Sequence, residues 1–137
     1  MSQTEHPNVA LVRSAFESVA SGDMQTALNV YSPGLHYYGY DTTATPREFG
    51  SRDEFFGMVM EAMSYTDEFA TELVQAYPIG ESLVMAHVRA HRRARQSQET
   101  IDDDFVMAFR IEDGHITHGF DLCGPALLHF WSRTSGV

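Results

Sequence analysis

The sequence changes its hydrophobic period near Asp67, and that change limits the fold more than any other feature. Before it, apolar residues recur every three or four positions: Val9, Val12, Phe16 and Val19, then Met24, Ala27, Leu28 and Tyr31, then Phe55, Val59, Ala62 and Met63. Each set is one stripe of an amphipathic helix. Pro7 suits a first helical turn, Ser21-Gly22-Asp23 separates the first two helices, Ser32-Pro33-Gly34 ends the second, and Ser51 with Glu54 has capping-box spacing ahead of the third. Leu35 to Tyr40 reads as a short aromatic strand, and Asp41 to Gly50, without period, as a loop. After Asp67 come four β-rich runs: Ala70 to Tyr77, Ser82 to Ala94, Thr100 to Ile111 and His115 to Cys123. Turn signals join them, Glu112-Asp113-Gly114 the strongest, so they form an antiparallel meander. Over Pro125 to Trp131 periodicity does not separate a short helix from a last strand. The pattern predicts an α+β fold: three N-terminal helices packed on a curved, mainly antiparallel sheet, with a cone-shaped apolar pocket where the two layers part.

A length of 137 residues, 43% of them hydrophobic, suits one domain over 1–137, with 1–7 as a flexible N-terminal tail. The formal charge of -10 argues against nucleic acid or an anionic membrane as partner. No apolar run approaches the ~18 residues of a membrane span, and MSQTEHPNVA lacks the pattern of a signal peptide, so the expected location is the cytoplasm. All nine basic residues are Arg. Without Lys, Schiff-base catalysis, a Walker phosphate loop and an anchored pyridoxal cofactor are excluded. Cys123 is the sole cysteine and has no His or Arg beside it in sequence to activate it. No cofactor is expected.

Strand alternation sorts the remaining candidates. Phe105, Met107, Phe109 and Ile111 share one face, with Asp103 on the same side and Asp104 opposite. Val84, Ala86, Val88 and Ala90 face inward, followed by Arg92, while Met85, His87, Arg89 and His91 form a polar face for water or a partner subunit. Asp121 lies between Phe120 and Leu122, where burial would raise its pKa and make it a general acid or base; the alternative is a cap on the turn at Gly124. Tyr37 can supply a pocket phenol to a carbonyl or enolate oxygen, or pack in the core. His36 precedes it, and His118 lies three residues before Asp121, on the opposite side of a regular strand. Arg92 and Asp103 can pair at the pocket mouth, bind a polar substrate group, or belong to a solvated hairpin end. His87 and His91 are ~13 Å apart on a strand and cannot share an ion; Asp102-Asp103-Asp104 is the other acidic grouping, and no metal is expected. Phe16, Val19, Phe55, Val59, Phe105 and Met107 would wall the pocket.

Three segments, VRSAFESVASGDMQTALNVYSPGLHYYG, GSRDEFFGMVMEAM and EDGHITHGFDLCGPALL, resemble in order the helix pair with first strand, the third helix and the last hairpin of nuclear-transport-factor-2-like domains, above all SnoaL-like polyketide cyclases and their ketosteroid-isomerase-like and limonene-epoxide-hydrolase-like relatives. The resemblance implies a catalytic carboxylate at Asp121 and a pocket-facing phenol at Tyr37. It departs at Gly39, where the hydrolases carry Asn, at Val88 and Ala90, where they carry Arg and Asp, and at Gly39 and Met107, which fall near the two carboxylates of steroid isomerases. The implied function is a cofactor-independent enzyme using proton transfer on a small apolar or carbonyl-bearing molecule, by cyclisation, isomerisation, dehydration or epoxide opening. Asp121 would be acid or base, and Tyr37 with His36 would polarise the substrate oxygen. The alternative is a non-catalytic ligand-binding or dimerisation module of the same fold; either way the resemblance implies a homodimer through the sheet.

Overall fold

A computed structural model describes residues 5–135, so residues 1–4 of the predicted tail lie outside the described residues. His6 and Pro7 already belong to a helix end: the His6 Nδ1 accepts from the Asn8 N–H, and Pro7 opens α1 (Pro7–Ala20). Gly22, at φ +84°, lets the chain reverse, and Asp23 caps α2 (Met24–Val30) by accepting from the Thr26 N–H. The sequence next enters β1 (Tyr31–Tyr40) and β2 (Pro46–Phe49), then α3 (Arg52–Ser64), capped by Ser51. Four strands follow, β3 (Thr66–Ile79), β4 (Leu83–Ala94), β5 (Thr100–Glu112) and β6 (His115–Leu122), and α4 (Pro125–Thr134) ends the described chain.

The six strands form one curved, unclosed sheet in the order β2-β1-β6-β5-β4-β3. From β3 to β6 it is the expected antiparallel meander, turned between β5 and β6 at Asp113 and Gly114, which both have positive φ as a two-residue hairpin loop requires. β1 pairs with β6 in parallel, placing early and late chain side by side in mid-sheet.

The elements depart from the sequence reading at Tyr31 and within 41–50, and the tail that the periodicity left open takes one form. Tyr31 is strand, not helix, because α2 stops after seven residues and its cap is extended. The predicted loop 41–50 contains the edge strand β2, whose Phe49 is fully buried. The tail after Gly124 is a helix. The helix layer is therefore not three N-terminal helices alone but α1 to α3, with β1 and β2 between α2 and α3, and α4.

Inward residues follow the predicted alternation. Val84, Ala86 and Val88 of β4 and Met107, Phe109 and Ile111 of β5 pack against Val9, Val12 and Ala15 of α1 and Phe55 and Phe56 of α3. Toward the other end of the sheet the layers separate, and α4 closes over the gap with Leu127 and Phe130 buried beneath it.

Candidate functional site

The gap is a cavity of about 170 Å³, partly open, between the sheet and helices α1, α3 and α4. Phe16, Val19, Phe55, Val59, Phe105 and Met107 line it, so its wall is mostly apolar. Its charged lining residues are Asp41, Arg92 and Asp121. Asp41 is already occupied: its Oδ1 accepts from the Thr43 and Thr45 N–H groups and the Thr43 hydroxyl, and these bonds hold its carboxyl below the usual range against the opposing effect of burial.

Asp121 reaches the cavity from the end of β6. Among the described residues its hydrogen-bond donor is the Tyr37 hydroxyl, which donates to Oδ1. Enclosure among apolar walls pushes the Asp121 carboxyl up to about 7, and this outweighs the Tyr37 hydrogen bond and the Arg92 charge, both of which pull it down. Tyr37 itself is fully buried and lies behind the carboxylate rather than in the cavity wall, its ring stacked on Phe55 at 3.9 Å between centroids. Burial first, and the neighbouring Asp121 second, hold its phenol well above the usual value, so it stays a donor. The glycine at 119 makes this possible: a Cβ there would sit 2.6 Å from Tyr37 Cδ2, deep inside van der Waals contact. Gly39 is less constrained, since a Cβ at that position would meet Asp121 Oδ2 at 3.4 Å, about ordinary contact.

His36 does not join Tyr37 in the site. Alternation puts it on the outer face of β1, where it is exposed, its Nδ1 3.3 Å from Glu48 Oε1 and its ring stacked with His118 at 5.8 Å. His118 likewise faces away from Asp121. Asp103 is outside the cavity lining and makes no ion pair with Arg92; its Oδ1 accepts from the Asp104 N–H. Arg92 is 5% exposed, donates to the carbonyls of Ala70 and His91 and to the Thr71 hydroxyl, and rests 3.7 Å above the Phe69 ring. Burial lowers its guanidinium to about 10.

Sequence reasoning missed Tyr31, Tyr40, Phe69, Thr71, Cys123 and Trp131 as lining residues. Phe69 and Thr71 share the inward parity of β3, a signal that was available once the strand was begun at Thr66 instead of Ala70. Cys123 is half-buried, and burial pushes its thiol up to about 12, which keeps it protonated. On the outer face the basic row is neutralised in register: Asp104 of β5 takes both His87 Nε2 at 2.7 Å and Arg89 Nε at 3.0 Å, and His91 meets Asp102 at 2.8 Å and Glu68 at 3.5 Å. Among the described residues no group of three His, Cys, Asp or Glu is placed to hold a metal ion, and no helix is long and apolar enough to cross a membrane.

No family model and no curated protein matches the sequence. Solved structures match its shape. A nuclear-transport-factor-2-like protein of unknown function from Burkholderia pseudomallei superposes with a TM-score of 0.81 at 15% identity, covering 97% of this chain and 100% of that one. IdmH of Streptomyces antibioticus, a proposed polyketide cyclase, gives 0.74 at 15% identity over 93% and 98%. A Mycobacterium tuberculosis protein in complex with estradiol-17beta-hemisuccinate gives 0.74 at 11% identity over 89% and 97%. Helices over a curved sheet, a cavity between them and these superpositions agree, and the chain has the nuclear-transport-factor-2-like fold that polyketide cyclases and ketosteroid-isomerase-like proteins also use.

Proposed function

We propose that the protein is a cofactor-independent enzyme that moves a proton on a small carbonyl-bearing molecule held in the apolar cavity, with Asp121 as the acid or base. The observation that carries the reading is the Asp121 carboxyl, on the wall of that cavity, raised to about 7, while the other lining carboxyl, Asp41, is tied up in its own turn. A carboxylate with its ordinary pKa is a weak base toward a carbon-bound proton; a group that titrates near 7 is better matched to both giving and taking one. Tyr37 acts on Asp121, not on the substrate: its hydroxyl fixes Oδ1 and leaves Oδ2, on the Gly39 side, to exchange the proton. The cavity volume is close to the ~150 Å³ that holds one benzene ring, so the reacting part of the substrate is of single-ring size. Isomerisation, cyclisation, dehydration and epoxide opening all need such a proton transfer, and the IdmH-like and ketosteroid-isomerase-like shapes support that range.

The test uses phenylacetone in D₂O, with deuterium entry at the benzylic carbon followed by NMR. The wild type should accelerate exchange, and Asp121→Asn should reduce the acceleration by about 10²–10⁴-fold while still binding the ketone. Equal exchange by the two proteins overturns the assignment. Binding without exchange by either one supports the non-catalytic module instead.

The same reading includes a homodimer formed through the outer sheet face. In register across β3, β4, β5, β6 and β1 lie Tyr77, Met85, Ala108, Phe120 and Tyr38, and the four large members of this row are 41–52% exposed. A second copy of the chain would cover that row. A cytoplasmic setting suits a chain whose one cysteine is free.

A further inference from the structure

The cavity wall holds a cation that, among the described residues, makes no ion pair. Arg92 is buried on the inward face of β4, and among the described residues no carboxylate lies within ion-pair distance of it. Other arginines of the described residues find carboxylates at more exposed positions, as Arg89 does with Asp104 and Arg133 with Glu99. Of the five N–H donors of the guanidinium, three are taken by Ala70, His91 and Thr71, and the enclosed Nε has no partner. The Phe69 ring beneath it compensates part of the charge but accepts no further hydrogen bond in the guanidinium plane. Burying a charge without a counter-charge is costly, and an apolar residue on this inward face would avoid the cost while filling the same space. The same residue lines the cavity that holds Asp121. Asp121 is the cavity's remaining carboxyl with no N–H donor, and it is hydrogen-bonded to Tyr37 rather than to Arg92.

Resting on the proton-transfer reading of this cavity, we infer that the ligand carries an acidic oxygen, a carboxylate or the oxygen of an acidic enol, which seats against Arg92 while the rest of the molecule fills the apolar wall and presents its reacting carbon to Asp121. The substrate class is thus a small ring-sized oxo acid or acidic enol, for which a neutral ketone of the same size is a partial mimic that reacts but binds less tightly. The neutral ketone of the exchange assay would fill the wall but leave Arg92 unmatched.

Trp131, the only tryptophan, lines the cavity, so its fluorescence reports occupancy. The probes are phenylacetate and phenylacetamide, nearly equal in shape and different in charge, titrated at pH 6. The wild type should bind the acid at least about tenfold more tightly than the amide, the size of one charge-assisted contact. Arg92→Gln should erase the preference with little change for the amide, and Arg92→Lys should keep part of it. Equal affinities, tighter binding of the amide, no binding of the acid up to its solubility, or an undiminished preference in Arg92→Gln each overturn the inference. The wild-type comparison alone can do so if Arg92→Gln does not fold. Asp121→Asn separates this inference from the reading it rests on. If that variant exchanges phenylacetone as well as the wild type but the acid preference stands, the proton-transfer role falls and the anion site remains. If exchange depends on Asp121 but acid and amide bind alike, the anion site falls alone.

Discussion

A carboxylic acid enclosed among rings keeps its proton to a higher pH than one in water, and at Asp121 a phenol and a guanidinium reverse this only in part. Replacing Tyr37 with Phe removes the donor that favours the ionised form, so the Asp121 pKa should rise above about 7 by roughly one to two units, read as a shift of the pH profile of exchange or by carboxyl NMR. The same group makes stability depend on pH. The folded state keeps the Asp121 proton up to about 7, the unfolded chain only to about 3.8, so between those values the folded state holds more protons and its stability falls as pH rises. Asp121→Asn should remove this fall: in urea titrations the wild type should lose up to about 4 kcal/mol relative to the variant between about pH 4 and pH 7. Gly119→Ala drives a methyl into the Tyr37 ring and should cost about 1–3 kcal/mol in the same titration while loosening the hold on Asp121. At this scale the sequence was informative about Asp121, whose apolar neighbours in the strand already implied burial. It was silent about what Tyr37 does, because the bond joins residues 84 positions apart and nothing local encodes a hydroxyl's distant partner.

Elements were legible where a period ran long enough to be counted. The faces of α1 and α3 and the alternation of β4 and β5 followed from spacing alone, since each buries residues at its own repeat. β2 did not, because four residues beginning with Pro46 carry almost no alternation, and an edge strand needs a neighbour more than a pattern. α4 was legible only beyond Trp131: Leu127, Phe130, Trp131 and Thr134 fall at three- and four-residue intervals, and the series is complete only with its last member. The helix matters because Phe130 is fully buried and packs edge-on against Trp131, which lines the cavity. Phe130→Ala should cost about 3–5 kcal/mol by chemical denaturation and should weaken binding of both phenylacetate and phenylacetamide, a combination that separates it from Arg92→Gln.

For the whole molecule, the outer face of the sheet divides into a charge-paired region around His87, Arg89 and His91 and the apolar row from Tyr77 to Tyr38. The sequence placed the basic residues and Asp104 on that face but not which of them meet, since cross-strand register decides which charges touch. Light scattering should give twice the 15.4 kDa chain mass at micromolar concentration, and Phe120→Glu, which puts a charge in mid-row, should return it to one. The parallel pairing of β1 with β6 has a further consequence, for the order in which a newly made chain acquires its site. β1 is synthesised early, yet the neighbour it needs on its inner edge is the last made of the sheet's six strands, and Tyr37 waits through 84 residues for the carboxyl it holds. A nascent chain can close its helix pair and the β3 to β5 meander from local contacts, but the proton-transfer centre comes into being only with the final hairpin, so a chain cut short before Ile116 is left without the carboxylate and with β1 unpaired on one edge.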